Sequence, residues 1–306
     1  ATVAVANAAL PKAGGTMTGN IATKGISSVT AGSNNFVAGV NAGNSIVSGG
    51  DNNTLVGTNA GTAVTTGDFN TALGSQALAQ TNTSSQNTAI GGYAMYYNTT
   101  GGSNTAVGLQ ALLDNTTASN NTAIGMNALT NNTTGTQNTA LGGTSLAANT
   151  TANYNTGVGY NSLAANTTGI QNSGIGRYTL AQNTTGNYNV AVGGDALTAN
   201  TTASNNTAVG MFALTANTTG TGNTAVGKNA LDANISASNV TAVGLNALGS
   251  NTTGANNTAV GTASLGSNTT AGKNTAFGYA SLNANTTGTR NTAVGDNSLV
   301  ANTTGN

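Results

Sequence analysis

One phrase returns at every seventeenth residue along most of this chain, and its length never changes. It starts 15 times, from Asn53 to Asn291, with the consensus N-T-A-V-G-x-x-A-L-x-x-N-T-T-G-x-x. We call its 17 positions columns, counted from the Asn. The fifth column is Gly in every copy, and the ninth is Leu in nearly every copy. A fixed period with fixed apolar columns predicts a solenoid, in which each repeat buries its apolar face against neighbouring copies.

The alternative is a low-complexity tract rich in Asn, Thr and Gly that stays disordered. Disorder gives no reason for Leu to return every seventeenth residue while the residues around it vary. We therefore favour the solenoid.

The repeat is better suited to strands than to helices. Gly in the fifth column and N-T-T before Gly or Ala are poor helix formers in so short a unit, whereas the Val, Ile or Leu of the fourth column suits a β-strand. We predict an all-β parallel solenoid, a β-roll of 17-residue coils, with the fourth and ninth columns inside. Corners are expected at the fifth-column Gly and at N-T-T-G, whose Gly is expected to take positive φ.

The twelfth column contains Asn in most copies, beginning with Asn98, Asn115, Asn132 and Asn149. Asn side chains stacked in register form amide ladders. We expect such a ladder here.

Two aliphatic side chains are a thin core for a coil of this length, so further burial is needed. We expect the Ala residues of the third and eighth columns to form a small-residue surface on which another chain packs. Cyclic symmetry closes such a contact without leaving an open edge. The prediction is a parallel homotrimer with its threefold axis along the rod and the variable sixth and seventh columns outside.

Charge is scarce and balanced, with 6 Lys and Arg against 6 acidic residues and no His or Cys. Nucleic-acid binding depends on clustered cations, and a membrane span needs a long apolar run, so we expect neither a nucleic-acid partner nor membrane insertion. The acidic residues are all Asp, scattered over different columns, and general acid–base chemistry lacks both His and Glu. We therefore expect no enzyme, no cofactor and no metal site.

Two parts of the chain resemble known families. The phrase N-T-A-V-G-x-x-A-L is similar to the S-V-A-I-G-x-x-A repeat in the heads of YadA-like trimeric autotransporter adhesins. That resemblance implies a left-handed parallel β-roll assembled as a trimer, with the extra length of the present repeat placed at N-T-T. The segment LPKAGGTMTGNI at 10–21 resembles a short motif of bacteriophage tail fibre proteins. Together the two favour a tail fibre over a bacterial adhesin.

We divide the chain into three parts: 1–25, an N-terminal segment with the tail-fibre-like GGTMTG motif; 26–52, irregular transition or capping coils; and 53–306, the regular array, interpreted as a fibre shaft.

The leading hypothesis is a structural protein of the virion: a stiff trimeric shaft of an extracellular phage tail fibre. It would join other virion tail proteins, hold a receptor-binding tip and contact a host cell-surface glycan or protein. The alternative is a trimeric adhesin head on a bacterial cell surface. An ice-binding solenoid is less favoured, because ice binding requires Thr exposed on a flat strand and the Thr-Thr pairs fall at a corner. Within the variable columns, Tyr160, Arg177 and Tyr178 are the candidate receptor contact, since exposed Tyr and Arg suit glycan or protein binding.

Overall fold

The computed structural model describes residues 26–27 and 31–306. Within these residues the chain is all-β, built of short strands and turns. The tail-fibre-like motif at 10–21 lies outside them. The strands are β1 (Ile26–Ser27), β2 (Phe36–Ala38), β3 (Thr54–Val56), β4 (Thr71–Leu73), β5 (Thr88–Ile90), β6 (Thr105–Val107), β7 (Thr122–Ile124), β8 (Thr139–Leu141), β9 (Thr156–Val158), β10 (Ser173–Ile175), β11 (Val190–Val192), β12 (Thr207–Val209), β13 (Thr224–Val226), β14 (Thr241–Val243), β15 (Thr258–Val260), β16 (Thr275–Phe277) and β17 (Thr292–Val294).

The strands β2 to β17 stack in parallel, one per coil. Thr105 of β6 faces Thr122 of β7, and the same offset of one whole repeat holds from β3 onward. This register confirms the predicted solenoid. The offset from β2 to β3 is longer by a single residue, since Phe36 faces Thr54. One longer coil therefore precedes the regular array, within the segment we expected to be irregular, and β1 pairs with it antiparallel.

Backbone pairing continues around the coil well beyond the short strands. In the coil that begins at Asn104, the N–H groups of Thr105, Leu112 and Thr116 donate to carbonyls of the next coil at 2.9, 2.9 and 3.1 Å. Each coil is thus bonded to its neighbours on several sides. Such bonds satisfy main-chain groups that short strands alone would leave open.

The interior holds the ninth column together with the small residues of the third and eighth. Leu112, Ala106 and Ala111 are all fully buried, and their counterparts in other coils repeat the pattern. The ninth-column prediction is confirmed. Burial of a Leu side chain contributes about 1.5–3 kcal/mol per coil.

The prediction that the fourth column lies inside is wrong. Leu141 and Ile175 are each 44% exposed. The other fourth-column residues are all at least partly exposed. Side chains alternate along a strand, so an inward third-column Ala turns the second and fourth columns outward. The Ala residues of the third and eighth columns are enclosed by their own coil. They therefore do not form the expected contact surface for another chain.

The predicted amide ladder in the twelfth column is confirmed. Asn132 is fully buried, and its Nδ2 donates to Asn115 Oδ1 at 3.2 Å and to the Gly135 carbonyl at 2.9 Å. Its Oδ1 accepts from Asn149 Nδ2 at 2.8 Å. The ladder therefore bonds each coil to the next and also closes its own N-T-T-G corner.

The first column forms a second amide ladder. Asn121 Oδ1 accepts the backbone N–H of Asn138 at 2.9 Å, and Asn121 Nδ2 donates to the Gly135 carbonyl at 2.9 Å. Gly135 thereby receives one amide from each ladder. The two ladders satisfy the polar groups that a core this narrow brings out of water.

The turns rely on left-handed backbone conformations. The fifth-column Gly has positive φ as predicted: Gly125 has φ 136°, and a Cβ there would lie 2.6 Å from the Gly142 carbonyl. The Gly residues of the fifteenth column were also expected to have positive φ. None of them does, and Gly135 is one example. Instead, Leu129 of the ninth column has φ 52°. That conformation costs roughly 1–2 kcal/mol in an L-residue, which burial of the Leu side chain offsets.

Candidate functional site

The three residues selected from the sequence lie together on the outside of the rod. The rings of Tyr160 and Tyr178 meet edge to face with centroids 5.6 Å apart. The Arg177 guanidinium lies 5.1 Å from the centroid of Tyr178. All three belong to the sixth and seventh columns of two successive coils, which places them beside one another along the rod.

Asp195 completes this group, which we call the Tyr160 cluster: Tyr160, Arg177, Tyr178 and Asp195. Asp195 Oδ2 accepts a hydrogen bond from Arg177 Nη2 at 2.9 Å. The Arg177 side chain is 63% exposed and that of Asp195 is 19% exposed, so water screens the pair and its stabilising effect is small. Sequence reasoning treated Asp195 as one of several scattered solvated carboxylates. Its seventh-column place one coil after Tyr178 was the available signal.

Glycines border the cluster in the sixth column. The Tyr160 ring lies over Gly143, where an added Cβ would be 3.5 Å from the ring Cδ2. On the other side, a Cβ on Gly194 would meet no atom within 4 Å. The cluster therefore lies against Gly143 on one side along the rod and borders open space at Gly194 on the other.

The cluster offers two aromatic rings, an arginine with free donors and a carboxylate, with no net charge. Aromatic rings pack against the apolar faces of ligands, and Tyr hydroxyls, guanidinium and carboxylate bond hydroxyl groups. The arrangement suits a neutral polyhydroxylated ligand better than an acidic one, because Asp195 already pairs with Arg177.

A second aromatic group lies nearer the start of the array. Tyr93 and Tyr96 have centroids 5.7 Å apart, and Tyr96 and Tyr97 meet edge to face at 4.6 Å. Tyr93 belongs to the variable seventh column, but sequence reasoning did not group it with Tyr96 and Tyr97. The run Y-A-M-Y-Y at 93–97 was the signal.

A regular surface is formed by the second- and fourth-column residues of β3 to β17, which we call the outer face. It carries a row of Thr, which we call the Thr file and which is interrupted by Ser173 and Val190, beside a row of Val, Ile and Leu with Phe277, which we call the aliphatic file. The aliphatic file is partly exposed along its length, reaching 48% at Leu73 and 71% at Val294 in the last strand. A long apolar patch of this kind is typical of an interaction surface.

Two carboxyl groups are perturbed. Burial raises the pKa of Asp114 above its usual range. Burial also raises the pKa of Asp232, against hydrogen bonds from the backbone N–H groups of Asp232 and Ala233 that lower it. The two groups lie in separate coils, so they do not form a catalytic pair.

Comparison of the sequence with models of known protein families found no match, and comparison with curated proteins found none either. Within the described part of the chain, no His, Cys, Asp or Glu residues form a group of three that could bind a metal ion. In residues 26–27 and 31–306 there is also no helix long and apolar enough to cross a membrane.

Proposed function

We propose that this chain is the shaft of a fibre, a stiff parallel trimer that holds a receptor-binding tip away from a bacteriophage virion. The observation that supports this most is the aliphatic file of the outer face, because it leaves apolar side chains in water along a rod with few charges. Association would bury them and would also couple three narrow solenoids into a stiffer rod.

The contact surface is the outer face and not the Ala columns. Ile124, Leu141 and Ile175 follow one another on alternate or successive coils and are 37%, 44% and 44% exposed. In a parallel, in-register trimer the same residues of three chains meet around the axis, which is the arrangement that cyclic symmetry permits. The Tyr160 cluster, two and three columns beyond the aliphatic file, stays at the rim.

The setting that follows from this proposal is extracellular, in the virion, with other tail proteins as partners. The Tyr160 cluster would then contact a host cell-surface glycan or protein. A trimeric adhesin head on a bacterial cell surface remains the alternative, since it places the same demands on the fold.

Ice binding is a second candidate because of the Thr file on the outer face. The Thr-Thr pairs do lie in a bend, where Thr133 Oγ1 donates to the Thr150 carbonyl at 3.1 Å. The second-column Thr residues, however, lie on strands and recur at roughly 4.8 Å in successive coils, except where Ser173 and Val190 take the place of Thr. Ice binding needs an outer face that is open to water, whereas the fibre needs an outer face that is covered by the other chains of the trimer.

Sedimentation equilibrium separates the two. We expect a trimer, with a trimerisation tip supplied if folding requires one. The double variant Ile124→Lys, Ile175→Lys should dissociate to monomers that keep their β circular dichroism, while the control Asn131→Lys should stay trimeric. A stable soluble wild-type monomer under these conditions would contradict the proposal, and thermal hysteresis from that monomer would favour ice binding.

The receptor role of the Tyr160 cluster is tested by glycan-array binding. Tyr160→Ala and Tyr178→Ala should each lose the wild-type signal, while Tyr279→Ala, which removes an exposed sixth-column Tyr elsewhere, should keep it. Equal binding by all three variants would exclude the cluster.

A further inference from the structure

The sixteenth column has a recurring hydrogen bond that is missing from several coils but from three successive coils at only one place in the described array. In many coils its backbone N–H points along the rod to a side-chain oxygen of the same column in the next coil. Thr221 donates to Ser238 Oγ at 3.0 Å, and Ile170 donates to Asn187 Oδ1 at 2.7 Å. Elsewhere in the regular array, a coil without this bond is followed by one that has it.

Three successive coils lack the bond near the end of the array. The N–H groups of Ser238, Ala255 and Gly272 have no acceptor among the described residues. For Ser238 and Ala255 the cause is the next residue in the column, since Ala255 and Gly272 have no side-chain oxygen. Thr289, which follows Gly272 in the column, does have a hydroxyl, and that hydroxyl donates to Asn306 Oδ1. This stretch therefore leaves aligned donors without partners.

Two cations lie beside these donors. Lys273 and Arg290 occupy the seventeenth column in successive coils, and both are exposed. Among the described residues the one ion pair joins Arg177 and Asp195, so neither cation has a carboxylate partner. Adjacent like charges repel one another, and the chain has only 6 basic residues in all.

Both cations and two of the three donor residues, Ala255 and Gly272, line one depression. It has a volume of about 270 Å³, and Ala255, Asn256, Gly272, Lys273, Thr289 and Arg290 line it. Gly272 keeps the depression open. A Cβ at Gly272 would lie 2.6 Å from the Ala255 carbonyl oxygen, and a larger side chain would also occupy the depression.

We propose that this depression binds a compact oxyanion, a carboxylate or phosphate group. Lys273 and Arg290 supply the charge, the N–H groups of Ala255 and Gly272 supply directed donors, and the Asn256 amide supplies a further polar group. Backbone N–H groups in a concavity bind anions, and cationic side chains beside them strengthen that binding, although here the N–H groups come from neighbouring coils and not from consecutive residues. The site uses a single chain, so it does not depend on assembly into a fibre.

The test is isothermal titration of the full chain with inorganic phosphate, with glucuronate and with polygalacturonate, using neutral dextran as the blank. Exposed charges give weak binding, so we expect millimolar dissociation constants for phosphate and glucuronate. These dissociation constants should rise steeply with salt concentration. Lys273→Gln and Arg290→Gln should each weaken binding at least threefold. The matched control is Lys228→Gln, which removes one charge from a different column and should bind like wild type.

A second measurement separates binding from a purely structural role. Anions that bind the native state should raise Tm in the wild type and not in the double variant Lys273→Gln, Arg290→Gln. Without anion, the double variant should melt no lower than wild type, because it loses a repulsion. Preference for phosphate over glucuronate would identify a phosphate source, and the reverse a carboxylate source. No binding of either, or equal weakening by Lys228→Gln, would overturn the proposal.

Discussion

Replacing Asn132 by Asp tests whether the buried amide ladder carries the stability of the stack. The change keeps the shape of the side chain and the oxygen that accepts from Asn149. It removes both donor hydrogens, so a carboxylate oxygen would face Asn115 Oδ1 and the Gly135 carbonyl. Two hydrogen bonds become two contacts between acceptors in a fully buried place.

The cost follows from those contacts. Two lost bonds contribute about 2 kcal/mol, and an orphaned buried acceptor at Asn115 adds about 1–3 kcal/mol. Gly135 is less affected, because Asn121 still donates to it. We expect a loss of roughly 3–5 kcal/mol at pH 7, before any cost of the buried charge.

The loss should depend on pH with a defined sign. The acceptor-lined site disfavours the ionised form, so the pKa of the new carboxyl is higher in the folded state than in the unfolded state. The destabilisation is therefore complete above the folded-state pKa and shrinks as pH falls through it, because the protonated form regains a donor.

Urea unfolding followed by far-UV circular dichroism between pH 7 and pH 4 measures both effects. Asn131→Asp is the matched control, since Asn131 is the exposed neighbour and its change should cost less than about 0.5 kcal/mol. Asn132→Ala should lose stability at every pH alike. If Asn132→Asp matched the Asn131 variant at pH 7, the ladder would not be a stabilising element.

Three further predictions follow from other sites. Thr81 holds a twelfth-column place, and its buried hydroxyl has no hydrogen-bond partner among the described residues, so Thr81→Asn should extend the ladder and add about 1 kcal/mol, seen as a higher Tm. Because burial raises the pKa of Asp114 in the folded state, wild-type stability should rise as pH falls through that pKa, and Asp114→Asn should reduce the rise in acid titrations of Tm. Leu214→Asp should cost at least about 4 kcal/mol, as buried charges do, whereas Lys228→Ala should change the urea midpoint little; equal losses would contradict our division of inside from outside.

The sequence was sufficient for the solenoid, its period, the buried Leu column and the Asn132 ladder, because these depend on repetition and residue type. The error at the fourth column came from assuming that the larger aliphatic residue lies inside. The column varies from Val to Phe277, whereas the third column is nearly always Ala. A packed interior tolerates little change in volume, so this contrast already indicated which column was buried.

Other features depend on how the folded coil places its residues. Leu129 adopts a left-handed conformation that Leu intrinsically disfavours, and only the closure of the whole coil imposes it. The grouping of Tyr160, Arg177 and Tyr178 could be anticipated from adjacent columns, but the edge-to-face geometry and the Asp195 contact depend on side-chain placement.

The constant offset between paired strands also bears on how such a chain changes over generations. Each coil contacts the coil before it and the coil after it through the same columns, so duplication or deletion of one whole repeat rejoins equivalent surfaces. A length change of any other size has to be accommodated within the coil where it occurs, as it is in the longer step from β2 to β3. Recombination between the nearly identical repeats of the gene can therefore lengthen or shorten the rod only in whole coils, while every intermediate keeps a complete core.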